Sequence, residues 1–297
     1  MRPVIKKLKN DLIYAAALIA LAVGRRLPRS VGLWIFGTLG SIVYLFPNRE
    51  KQRTIEHLKL IYGDKWDESK IRKTAGQVYH ELGKNLFDAF YLSKVKIEEF
   101  NRIVRLENLE ELSEAYRMGK GVIIITAHVG CFEMLLHLFA IQGFRSFAIG
   151  RRLYDERLEK IIRGQRSGNN IEYMDRSEST IKIMRNLREG KTFGVLIDQD
   201  TNVEGVFADF LGLPAYTPSG PVKMSMKFGI PVFVATTVRR SDNTHYVFIK
   251  RLSLVDTGNF DADLVENVRV ANSYICETIR SYPSQWVWMH RRWKRKP

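Results

Sequence analysis

The chain has 297 residues, 45% hydrophobic and 27% charged, a balance that suits a globular protein with a substantial core. Lys and Arg number 47 against 32 Asp and Glu, and the formal charge of +15 favours a polyanionic partner: nucleic acid, an anionic membrane leaflet or an acidic carrier protein. No repeat of fixed period, dividing linker, RNA-recognition signature or zinc finger is present, and two distant cysteines without a CxxC motif exclude a disulfide framework and argue against structural zinc.

In chain order, the first features are two uncharged runs, Leu12 to Val23 and Val31 to Phe46. A spanning helix needs about 20 apolar residues, and Arg25, Arg26 and Pro28 interrupt these two. Arg2, Lys6, Lys7 and Lys9 precede the first run, Arg29 follows it, and the chain ends in Arg291-Arg292-Trp293-Lys294-Arg295-Lys296. Basic residues beside apolar runs and tryptophan are what an anionic membrane attracts, at roughly 1 kcal/mol each. The charge is therefore read as a membrane feature and not a nucleic-acid one. Residues 1–46 are expected to form a monotopic or short-span membrane anchor and residues 47–297 a catalytic domain. A buried helical hairpin is the alternative for the first segment.

From Arg53 to Leu92 the apolar positions recur at helical spacing, with a helix start at Asp67. Glu110 to Arg117 is a further helix, ended by Gly119. Gly121 to Ala127 is then a β-branched run, as expected of a strand buried on both faces. Thr180 to Arg188 is helical, Thr192 to Ile197 a second strand, Pro231 to Val238 a third and His245 to Lys250 a fourth. This alternation predicts an α/β fold, a mostly parallel sheet flanked by helices, behind an N-terminal apolar helical membrane-anchor segment. Ligands in such sheets bind beyond the carboxyl ends of the strands, where His128 and Asp198 fall.

His128 and Glu133 are five positions apart, which on one continuous helix would separate them by about 140°. If His128 lies in a strand-to-helix turn, which Gly130 makes feasible, and Glu133 in the first helical turn, they converge. The carboxylate would then fix the imidazole tautomer, and the other ring nitrogen could take a proton from a substrate hydroxyl. A surface histidine beside an ordinary helix-start glutamate is the plain alternative. Cys131 as nucleophile with His128 as base, and His128, Asp198 and Asp200 as metal ligands, are two others.

These residues resemble the late acyltransferases of bacterial lipid A biosynthesis, within a lysophospholipid-acyltransferase-like group. The resemblance runs from about Asn10 to Pro297. It includes Thr126-Ala127-His128-Val129-Gly130-Cys131-Phe132-Glu133, similar to the family's H-x4-D/E block, and Gly150-Arg151-Arg152-Leu153, where Leu153 replaces a usual proline. It continues through Arg163-Gly164-Gln165-Arg166, Asp198-Gln199-Asp200, Gly205 to Gly212 and Thr217 to Gly220, and ends on Pro283-Ser284-Gln285-Trp286-Val287-Trp288-Met289-His290-Arg291-Arg292-Trp293.

The resemblance implies transfer of an acyl chain from acyl carrier protein to a hydroxyl of a lipid A precursor, at the cytoplasmic face of the inner membrane, with no cofactor. By that resemblance His128 is the general base and Glu133 its orienting partner, with Arg152, Arg166 and Asp198 binding substrate. Arginine suits an oxyanion or a phosphate. Transfer to another lipid acceptor, thioester hydrolysis, and a non-enzymatic membrane-surface adaptor are the competing readings.

Overall fold

The computed structural model describes residues 10, 11, 14, 18, 26–93, 95–150, 155–166, 170–175 and 180–297, the side chains of residues 162, 165 and 166 excepted. Most of the run from Leu12 to Val23 thus lies outside the described residues. Among the described residues from Arg29 onward, the first helices are α1 (Arg29–Leu45), α2 (Arg49–Tyr62) and α3 (Glu68–Tyr91). Asn48 and Asp67 cap α2 and α3, their side chains accepting from the Lys51 and Lys70 amides at 2.6 and 2.7 Å. The helical pattern from Arg53 to Leu92 is therefore two helices, the second starting after Asp67 as expected.

Glycines let α1 lie directly on α3. A Cβ at Gly40 would come within 2.1 Å of the Tyr79 carbonyl oxygen, and one at Gly83 within 2.0 Å of that of Phe36. The buried face of α1 carries Leu33 and Phe36, while Trp34, Leu39, Ile42, Val43 and Leu45 stay exposed. Among the described residues no single helix is long and apolar enough to cross a membrane; α1 and α2 would qualify only together, and they are bent by 89°.

The remainder is a sheet with helices on both faces. Its elements are α4 (Ile97–Ile103), β1 (Val104–Leu106), α5 (Leu109–Arg117), β2 (Val122–Thr126), α6 (Met134–Ile141), β3 (Ser146–Gly150), α7 (Glu156–Arg166), β4 (Ile171–Asp175), α8 (Thr180–Arg188) and β5 (Thr192–Leu196). A hairpin, β6 (Gly205–Phe210) and β7 (Leu213–Pro218), precedes α9 (Gly220–Phe228), β8 (Val232–Arg239), β9 (His245–Arg251) and α10 (Phe260–Ser281). The seven-stranded order is β1-β9-β8-β2-β5-β3-β4. Every pairing is parallel except β8 with β9.

Residue alternation along the strands divides the core. Val122 and Ile124 pack with Leu135, Leu138 and Phe139 of α6 on one face. Ile123, Ile125, Phe147 and Phe193 pack on the other with Ile183 of α8, Val222 of α9 and Val268 and Ile275 of α10. The α/β class and mostly parallel sheet are as the sequence predicts. Strands β1, β3, β4, β6 and β7, and helix α10, go beyond that reading.

Candidate active site

The site is built by strand register. β2 and β5 are parallel neighbours with Thr126 opposite Leu196. Two residues beyond each of these, level with one another, stand His128 and Asp198. His128 Nδ1 lies 2.8 Å from Asp198 Oδ1, and the His128 backbone N–H donates to Oδ2 at 2.9 Å. The Trp286 indole N–H donates to the same Oδ2 at 2.8 Å.

Asp198 is fully buried. Burial alone would raise its pKa, but the adjoining His128 ring and the three hydrogen bonds outweigh it and hold the carboxyl well below the usual range. An ionised carboxylate at Nδ1 assigns the ring proton to that nitrogen, so Nε2 is the basic one.

Gly130 shapes the turn that follows. Its φ is +56°, and a Cβ there would come within 2.2 Å of the Thr237 carbonyl oxygen, so only glycine fits. A strap after α10 closes the turn from outside. Gly130 N–H donates to the Gln285 carbonyl at 2.8 Å, Val287 N–H to the His128 carbonyl at 3.2 Å, and Val129 bridges Trp286.

The imidazole is also held on its faces. Phe132 meets it edge-on at 4.7 Å between ring centroids. The Gln199 amide nitrogen lies 3.1 Å from Nδ1 and 3.0 Å from Nε2. An atom that close to both nitrogens sits over the ring and not along either in-plane lone pair, so the amide leaves the Nε2 lone pair free. The same amide nitrogen is 2.7 Å from His290 Nε2. Burial first, then the neighbouring His128, push His290 down to about 4, so it is neutral in neutral solution.

A cavity of about 950 Å³ opens at His128, Glu133 and Gln199 and is walled mostly by apolar side chains. Glu133 immediately precedes α6 as its N-terminal cap residue. It thus shares a cavity with His128, while the hydrogen bond at Nδ1 is made by Asp198. Arg166 ends α7, but its side chain, like all of Arg152, lies outside the described residues. Asp200 turns to Arg295, accepting its backbone N–H at 2.9 Å. Among the described residues no group of three or more His, Cys, Asp or Glu could hold a metal ion.

Cys131 is buried against Asn85, whose carbonyl is 3.6 Å from its sulfur, and burial pushes its thiol far above the ordinary range. A thiol so disfavoured as thiolate is a poor nucleophile. Gln199, Gln285, Trp286 and His290 were given no role by the sequence. Their only signal was membership of the blocks around Asp198 and the C-terminus.

A family model described as bacterial lipid A biosynthesis acyltransferase matches residues 4–295. The chain belongs to this family. Relatives include the lipid A biosynthesis palmitoleoyltransferase of Escherichia coli (strain K12) and the lipid A biosynthesis acyltransferase of Shigella flexneri. Each is 22% identical over 278 residues, covering 92% of this chain and 88% of the relative. The resemblance seen in the sequence is therefore correct, and the chain is an acyltransferase of lipid A biosynthesis.

Proposed function

We propose that this lipid A biosynthesis acyltransferase moves a fatty acyl chain from an acyl carrier protein thioester directly to a hydroxyl of a lipid A precursor. The observation that carries this reading is a basic imidazole nitrogen, backed by a buried carboxylate, at the mouth of an apolar cavity. The donor chain enters the arm of the cavity beneath α6. There Leu135, Leu136 and Phe139 face Ile124, Ala148 and Gly194. His128 Nε2 takes the acceptor's proton as its oxygen attacks the thioester carbonyl, forming the C–O bond. Collapse of the tetrahedral intermediate breaks the C–S bond, and the imidazolium returns the proton to the departing thiolate. Asp198 holds the ring and stabilises the imidazolium. Glu133 is the second carboxylate of the machinery, and Arg152 and Arg166 bind phosphate or the developing oxyanion. The direct test is to incubate purified protein with acyl carrier protein charged with different chains plus candidate lipid acceptors, and to identify products by mass spectrometry. Free fatty acid as the sole product would make it a thioesterase.

Direct attack leaves no acyl group on the protein. Cys131→Ala should keep most activity, and donor without acceptor should give no covalent adduct by intact-mass measurement. A dead Cys131→Ala variant together with an adduct on that cysteine would replace direct attack by nucleophilic catalysis.

We place the protein at the cytoplasmic face of the inner membrane, with residues 1–46 as its membrane-facing segment. The outer face of α1 supports this, with Trp34 69% and Leu45 72% exposed. Apolar burial and basic charge act together in such anchors, and only the charge is screened by salt. The full chain should fractionate with membranes and resist high salt, while a chain lacking residues 1–46 should move largely to the soluble fraction. Complete release of the intact protein by salt alone would overturn the anchor.

A further inference from the structure

The cavity wraps over the carboxyl edge of β5. Thr192, Gly194 and Leu196 line it from one face of the sheet, together with α6; Phe193 and Val195 line it from the other, together with α8 and α9. Because successive strand residues point to opposite faces, these are two arms meeting at the edge where His128 stands.

The arms differ in character. The arm under α6 is closed at its far end by the buried Ser146 and Thr192. The other is a groove between α8 and α9, with Ile183 on one side and Pro221, Met224 and Phe228 on the other. Those last three lie at i, i+3 and i+7, one stripe of α9, and span about 10 Å at 1.5 Å per residue. Half of the Phe228 surface is exposed (53%), while Pro221 and Ile183 are buried, so the groove opens at its Phe228 end.

Volume argues that one chain does not fill both. A methylene takes roughly the space of a water molecule, about 30 Å³, so a 16-carbon chain occupies about 480 Å³. The cavity holds about 950 Å³. A hydrolase needs room for one chain and water, whereas a transferase joining two lipids must bring two tails to one point.

Resting on the acyltransferase reading above, we propose that the α8–α9 groove binds a hydrocarbon chain of the acceptor lipid, so that donor and acceptor tails hang down opposite faces of β5. The acceptor hydroxyl then reaches His128 Nε2 over the strand edge, from the side opposite the donor chain. Sheet residues between the arms keep the tails from exchanging places.

Two substitutions separate the arms. Met224→Trp narrows the groove and should raise KM for a chain-bearing acceptor about tenfold, the weight of roughly two methylenes of lost burial. Its preferred donor chain length should stay as in the parent. Gly194→Val protrudes into the other arm, where a Cβ already meets Leu136 at 3.4 Å. It should shorten the preferred donor chain and leave the acceptor KM unchanged. A Met224→Trp variant that alters donor chain length, or leaves the acceptor KM unmoved, overturns the assignment.

A measurement on the unmodified protein decides the matter without turnover or variants. Crystals soaked in an alkyl glucoside brominated at its chain end should show anomalous bromine density between α8 and α9. An ω-bromo-hexadecanoyl thioester should place its bromine beneath α6. Glucoside bromine beneath α6, or in neither arm, overturns the proposal. Bromine in the groove of a protein that transfers to no lipid hydroxyl would leave the groove assignment standing and remove the acyltransferase reading instead.

Discussion

Replacing His128 by Ala should lower acyl-transfer turnover by on the order of 10² to 10⁴-fold, the usual contribution of a general base. Asp198→Asn should fall in the same range while leaving the fold intact. The asparagine side chain fits the space and can still accept from the Trp286 indole, but its amide can donate to Nδ1. It then favours the tautomer with the proton on Nε2, where the base must be free. Glu133→Ala should fall between His128→Ala and the nearly unaffected Cys131→Ala. Initial rates with saturating acyl donor, and circular dichroism of each variant, check the series. An Asp198→Asn enzyme within about twofold of the parent would mean that the buried hydrogen bond at Nδ1 does not serve the chemistry.

The sequence revealed the place of this site better than its wiring. The β-branched run before His128 and the glycine after it were enough to predict a strand, a turn and a helix at the right end of a parallel sheet. Asp198 was placed at a strand end as well. What no local pattern contains is that β2 and β5 are neighbours with Thr126 opposite Leu196. That register, set across 70 residues by packing on both faces, brings the buried Asp198 carboxylate to Nδ1, whereas the sequence offered Glu133 as partner of one ring nitrogen without saying which.

The same reason hid Trp286 and His290. Their stretch has no periodicity, because it is a strap whose backbone pairs with the turn after β2 and not with a regular element. Strands β3 and β4 were missed for a different reason. Ser146–Gly150 and Ile171–Asp175 are five residues each and carry polar, small or acidic positions, so they do not read as apolar runs. Helix α10 lies outside the sequence-based expectation, although Asn259 caps it by accepting from the Ala262 amide at 3.2 Å.

The second large effect is expected away from the cavity, at Asp88. This fully buried carboxylate accepts from Arg29 at 2.9 and 2.8 Å, from Arg239 at 2.6 Å and from His245 Nε2 at 2.8 Å. Asp88→Ala leaves the buried Arg239 guanidinium, among the described residues, with Glu81 and Asn85 alone, and stability should fall by about 3–5 kcal/mol, as when one partner of a buried pair is removed. Arg29 is part exposed and can turn to water, so Arg29→Met should cost less. Arg29 starts α1, and loss of the node should therefore also raise hydrogen exchange along that helix. The effect should reach the site, because the Arg239 backbone exchanges hydrogen bonds with the Gln285 side chain at 2.7 and 2.8 Å, and the Gln285 carbonyl receives Gly130 N–H. Acid should weaken the folded state through the same cluster. Burial pushes His245 down to about 4 despite the hydrogen bond to Asp88, while an unfolded histidine titrates near 6.5. Between those values the unfolded chain binds the extra proton, so stability is lost as pH falls from about 6.5 to about 4. Urea denaturation of the parent, Asp88→Ala and Arg29→Met across that range measures both effects. A loss below about 1 kcal/mol for Asp88→Ala, with exchange at α1 unchanged, would show that the glycine-mediated contact with α3 holds the helix by itself.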